Sequence, residues 1–208
     1  MSAYTPTRPV QPVRPSRQPL RYNVVAMALH WAIAALILLD FAFALSFSQF
    51  NPGQALYLPS AYPLHMSTGL SVLSLSVLRV VWRLIHKAPA LPADMHVVTR
   101  WLARLSHWFL YGFMLVAPLT GWLVLLVRRK PISMFGLFTW PNLSFVSAMP
   151  HEQRSIYHDV ALPLHTWISY AGMALVGLHL SAALYHHFYR RDDVLRRMLP
   201  SVRAIREG

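Results

Sequence analysis

Residues 161–189 read ALPLHTWISYAGMALVGLHLSAALYHHFY, without one Asp, Glu, Lys or Arg. About 20 apolar residues in a helix cross about 30 Å of hydrocarbon, so this stretch is long enough to span a bilayer. Lipid offers no water to backbone N–H and C=O groups, and a single span must therefore be an α-helix. Three more apolar runs lie upstream. Leu105 to Val127 is equally uncharged, a run from near Tyr62 to Leu84 carries only Arg79 and Arg83 near its far end, and Val24 to Leu45 carries only Asp40. No stretch alternates as a half-buried strand does. The expectation is an all-α integral membrane protein: a four-helix, up-down-up-down bundle with spans at about 24–46, 62–84, 104–127 and 162–188 inside a domain over 21–200.

Composition agrees with that reading. The 208-residue chain is 55% hydrophobic and only 12% charged, yet it holds 19 Lys and Arg against 7 Asp and Glu. Such an excess could mark a nucleic-acid binder, but the basic residues avoid the apolar runs, and their distribution is explained by orientation instead. Arg8, Arg14, Arg17, Arg21, Arg79, Arg83, Lys87, Arg100, Arg104, Arg190, Arg191, Arg196, Arg197, Arg203 and Arg206 fall on one side; only Arg128, Arg129, Lys130 and Arg154 fall on the other. Both termini are expected in the cytoplasm, and no nucleic-acid partner is needed. Residues 1–20, with five prolines and three arginines, read as a disordered cytoplasmic tail, and 201–208 as a second, basic one. The first apolar run is too long for a secretory signal and is expected to be a span. The chain has no cysteine, which excludes disulfides, thiolate metal sites and thioether-linked haem; any redox cofactor must use other ligands.

Eleven histidines are available, and five fall within spans, where an ionisable side chain is costly and marks a functional site by default. With spans alternating in direction, His65 and His165 belong to an outer layer, and His30, His107 and His179 to an inner one. His179 follows His165 by 14 residues, which is about 21 Å of helix and about 40° from the same face. Each layer can therefore supply an axial pair, although spacing does not decide which two of the inner three act. Arg79 stands 14 residues after His65, on nearly the same face at inner depth, where it could meet a haem propionate; Arg83 continues that face. Gly69, Gly112, Gly172 and Gly177 permit close approach of a macrocycle or of another helix. Asp40 is expected at interfacial depth, solvated or hydrogen-bonded rather than transferring protons. A histidine-based metal transporter is the competing use of these residues, but its ligands would have to converge at one place.

The ordered motifs Arg21-Tyr22, Leu29-His30-Trp31, His65-Met66-Ser67-Thr68-Gly69-Leu70, Ser106-His107-Trp108, Pro118-Leu119-Thr120-Gly121, His165, Gly177-Leu178-His179, Ala182 to Phe188 and Leu195 to Met198 resemble the bacterial four-helix cytochrome b561 family over about residues 21–200. That resemblance implies two b haems in a bacterial inner membrane, the inner one on His30 and His179 and the outer one on His65 and His165, leaving His107 spare. It also implies superoxide oxidation on the periplasmic side and ubiquinone reduction near the cytoplasm. Two imidazoles per iron imply electron transfer through the macrocycle edge. His107 and His186 are the candidate proton donors at the quinone site, since imidazole titrates near neutrality. Arg128, Arg129 and Lys130, against the general charge trend, could steer superoxide. The alternative is a cytochrome b subunit serving a periplasmic dehydrogenase or carrier protein. Residues 128–162, with Phe135, Phe138, Trp140 and Phe145, would then be a docking loop.

Overall fold

The computed structural model describes residues 21–49, 58–87, 89, 96–129, 131–141, 143, 146 and 148–200. The tails at 1–20 and 201–208, together with Lys130 and Phe145, lie outside the described residues. Four long helices dominate: α1 Val24–Gln49, α2 Ala61–Ile85, α3 Val97–Val127 and α4 His151–Tyr185, the last running into a π-helical turn, His186–Arg190. All four are long and apolar enough to cross a membrane. Helices α3 and α4 begin before their apolar windows do, because backbone hydrogen bonding carries a helix past the lipid boundary into polar sequence. Local caps help: Asn23 Oδ1 accepts the Ala26 N–H at 2.8 Å, and the His96 ring accepts the Val98 N–H at 3.3 Å.

The core is narrow. Ile33 and Ile37 of α1 meet Val72 of α2 and Met114 of α3, while Leu38, Leu78 and Trp167 are well exposed. In a lipid-embedded bundle this is the expected distribution, since lipid tails solvate leucine and association rests on close packing rather than on hiding apolar surface. Helices α1 and α2 are tied by polar contacts at one end, where Arg79 Nη1 donates to the Ala26 carbonyl (3.0 Å) and Trp82 Nε1 to Asn23 Oδ1 (3.1 Å). Helices α3 and α4 close up at Gly172, where the Phe113 ring occupies the space a Cβ would need. Beyond α4 the chain turns through Arg191 (φ 53°) and folds back on α1. There Trp31 Nε1 donates to the Met198 carbonyl at 2.7 Å, and Tyr22 N–H to that of Arg197 at 3.3 Å.

A small antiparallel hairpin, β1 Ile132–Met134 with β2 Phe138–Trp140, lies between α3 and α4. Sequence reading did not anticipate it, because three residues per strand are too few to show alternation. Ile132 is fully buried against Leu70, Leu73 and Leu125. Ser67 of α2 fastens the hairpin by donating to the Ser133 carbonyl and accepting the Phe135 N–H, both at 3.0 Å. The hairpin therefore rests on the α2–α3 end that carries His65.

Candidate functional site

The five intramembrane histidines meet in two groups. His65 of α2 and His165 of α4 have ring centres 6.0 Å apart at an interplanar angle of 63°. In the second group His179 of α4 stands 6.3 Å from His30 of α1 and 5.4 Å from His107 of α3. Among the described residues no cluster of three or more His, Asp or Glu side chains is arranged to hold a metal ion by itself.

The His65–His165 group lines an apolar cavity of about 220 Å³. His165 is held there by its own surroundings. Its Nδ1 lies 2.9 Å from the Ala117 carbonyl and 3.2 Å from Thr120 Oγ1. A carbonyl can only accept, so Nδ1 carries the proton and Nε2 keeps its lone pair. That arrangement, an imidazole N–H donated to backbone, is how metal-binding histidines are commonly oriented. The ring packs against Gly121, where a Cβ would come within 3.0 Å of it; Pro118-Leu119-Thr120-Gly121 is thus a seat for His165. Across the cavity Gly69 faces open space: a Cβ there would meet nothing within 4 Å. Arg128 also lines this cavity, whereas Arg129 occupies a left-handed turn position (φ 54°) just beyond it.

Of the two states expected of Asp40, solvated or hydrogen-bonded, the structure shows the second. Its side chain is only 17% exposed, its Oδ1 is 3.0 Å from His65 Nδ1, and it accepts a hydrogen bond from Thr68 Oγ1. Nothing in the one-dimensional pattern marked this, since Thr68 and His65 reach Asp40 from another helix.

In the other group, His107 Nδ1 is bonded to the Ala103 carbonyl of its own helix at 2.5 Å. Arg79 and Arg83 both line a second cavity of about 200 Å³ beside the start of α1, together with Arg21, Lys87 and His86. His86 stacks on Trp82 with centres 3.8 Å apart. His186 sits in the π-helical turn and is bonded to Asp192 Oδ2 at 2.5 Å, a partner sequence reading did not name. Burial alone would raise the Asp192 carboxyl. The hydrogen bonds from His186 and the Val194 N–H, with the charges of His186 and Arg190, outweigh it and hold the group below the ordinary carboxylate range.

Four apolar helices thus bring intramembrane histidines together at two places in one membrane protein. The family model for prokaryotic cytochrome b561 matches residues 21–201, and the chain belongs to that family, whose members bind haem b. It is 34% identical over 182 residues to cytochrome b561 homolog 2 of Escherichia coli (strain K12), covering 87% of this chain and 92% of that one. It is 25% identical over 186 residues to the probable superoxide oxidase CybB of Yersinia pestis, covering 88% and 98%. Cytochrome b561 homolog 1 of Escherichia coli (strain K12) matches at 25% over 180 residues, covering 86% and 97%. The chain is thus a multi-pass bacterial membrane cytochrome.

Proposed function

We propose that the chain holds two b haems, one between His65 and His165 and one between His30 and His179, and passes electrons from superoxide to a quinone. The observation that carries this reading is the ring separation. Metal–imidazole bonds run about 2.0 Å, and the ring centre lies about 1.1 Å beyond the nitrogen, so two axial imidazoles sharing one iron have centres about 6.2 Å apart. The pairs at 6.0 and 6.3 Å fit that spacing, whereas His107–His179 at 5.4 Å is too close. The inner choice that spacing along the sequence leaves open is thereby supported on geometry. The free Nε2 of His165, the seat at Gly121 and the open space at Gly69 fit a flat group in the same cavity. Histidines split between two separate groups fit a single transported metal ion less well.

Haem b, held by these histidines, would supply one-electron storage. The protein's own residues do the rest. In the orientation we favour, up-down-up-down with both termini in the cytoplasm of a bacterial inner membrane, the His65–His165 cavity faces the periplasm. Contacts of the start of α1 with the end of α2 and with residues 197–198 bring these segments to one end of the bundle, and the excess of basic residues there favours the cytoplasmic side. Arg128 at the cavity places a cation where an incoming anion arrives, and field of one sign in a low-dielectric cleft raises encounter rates. Arg79 and Arg83 offer cations to propionates beside α1. At the cytoplasmic end His107 and His186 hold protons for ubiquinone, with Asp192 orienting His186. Two superoxide ions give up one electron each and leave as two dioxygen molecules. One quinone takes both electrons and two cytoplasmic protons to become quinol.

A second reading keeps the same relay but replaces superoxide with a periplasmic dehydrogenase or carrier protein. The well-exposed apolar tip of the hairpin, Phe135, Leu137 and Phe138, favours it. The test is to purify the protein in detergent, count haem as the pyridine haemochrome, and add a superoxide source with and without ubiquinone. Two b haems per chain, reduced by superoxide and reoxidised by quinone, are expected. Two haems indifferent to superoxide leave the carrier-subunit reading, and no haem overturns both.

A further inference from the structure

Asp40 is the one residue of its charge in α1, deep enough that its side chain is 17% exposed, and an acid among apolar helices is costly to maintain. Its contacts all point one way. Oδ1 lies 3.0 Å from His65 Nδ1 and receives the Thr68 hydroxyl, and the same carboxylate lines the cavity between His65 and His165. His65 Nδ1 has no aligned hydrogen-bond partner, although it is buried. The shortfall is one of angle, since the carboxylate oxygen is within bonding distance. A proton on Nδ1 therefore has the Asp40 carboxylate as an acceptor in reach, which leaves Nε2 its lone pair.

The two rings of this pair thus meet different second partners. His165 gives its Nδ1 proton to a neutral backbone carbonyl; His65 faces a carboxylate. A carboxylate behind an imidazole raises its basicity as a metal ligand, and a negative charge in a low-dielectric interior favours the more positive state of a nearby metal. Both effects stabilise ferric over ferrous iron. We propose that Asp40 is a positioning residue that orients His65 and lowers the reduction potential of the haem held by His65 and His165, with Thr68 moderating it. This inference rests on the reading that those two histidines hold a haem. Thr68 Oγ1 has one proton, for which the carboxylate competes with the Leu64 and His65 carbonyls at 2.8 and 3.2 Å, and the share given to the carboxylate draws off part of its charge. Removing the carboxylate and removing the hydroxyl therefore act with opposite sign, which a general loosening of the site would not do.

The experiment is a spectroelectrochemical titration of the purified haem-loaded full chain, with the low-spin electron paramagnetic resonance spectrum of the oxidised form. Asp40→Asn is expected to keep both haems and raise one midpoint potential by at least a tenfold shift in its reduction equilibrium, about 59 mV for one electron. The haem that moves should be the one His165→Ala removes, and its resonance signal should move with it. Asp40→Glu should bring the potential back toward wild type, and Thr68→Val should lower it. Unchanged potentials in Asp40→Asn, equal displacement of both haems, or a rise in Thr68→Val would overturn the proposal. If Asp40→Asn does not accumulate, Thr68→Val decides alone: a fall in one potential supports the proposal, and no change or a rise overturns it. Retention of both haems by His65→Ala and His165→Ala defeats the ligand reading itself, and is read from haem content before any potential is measured.

Discussion

The two histidine groups differ in how much of their arrangement the surrounding chain dictates. Around His65 and His165 nearly everything is specified: a carbonyl and a hydroxyl for one ring, a carboxylate near the other, a glycine cut to fit and a single partner for each. Around His179 two rings compete, His30 at 6.3 Å and His107 at 5.4 Å. His107 is already bonded to its own helix and lies closer to His179 than two imidazoles sharing one metal would. The contrast teaches that a redox site in a narrow membrane core is set by the polar groups behind the ligands as much as by the ligands.

The strongest way to break the comparison is haem content. His165→Ala and His30→Ala are each expected to lose one of two haems, halving the pyridine haemochrome, while His107→Ala keeps both. Loss of haem in His107→Ala with retention in His30→Ala would reverse the assignment in the less specified group. At a smaller cost, Gly121→Val puts a side chain onto the His165 ring, which a Cβ alone would approach at 3.0 Å. Overpacking of this kind costs about 1–3 kcal/mol, and the haem of that pair should be released first on mild heating. The other haem should be indifferent.

Kinetics sharpen the contrast between the two ends. Removing a positioned acid–base group typically costs about 10²-fold or more, so His186→Gln should slow quinone reduction by about that factor and leave haem reduction by superoxide unchanged. Stopped-flow records of both half-reactions check it. Arg128→Gln should slow the superoxide half-reaction several-fold and flatten its salt dependence, with Arg129→Gln doing less, because only Arg128 lines the cavity.

The smallest effect concerns Asp192. Its folded pKa is held below the usual value of about 3.9, so its stabilisation is present above about pH 4 and is lost as pH falls through the folded value. Its charged hydrogen bond is partly exposed and worth about 1 kcal/mol, so Asp192→Asn should lower the melting temperature by about 2–4 °C near neutrality. The gap from wild type should close below about pH 4, and a gap that widens there would refute the sign.

The sequence by itself determined the four helices and the presence of histidines at two depths. Both are local properties: an uncharged run longer than a bilayer is thick admits no other structure, and a 14-residue interval on one helix sets depth and face together. The contacts between helices were decided only in the tertiary structure. Asp40, expected to be solvated or hydrogen-bonded, has named partners only once α2 brings His65 and Thr68 to it, and Asp192 meets His186 only at the π-helical turn. The hairpin at Ile132–Trp140 is stabilised by Ser67, over sixty residues away. The proposed choice of His30 over His107 is of the same kind, because it rests on a difference of 0.9 Å between ring separations of 6.3 and 5.4 Å. That difference is set by how three helices pack, and no period along one chain encodes it.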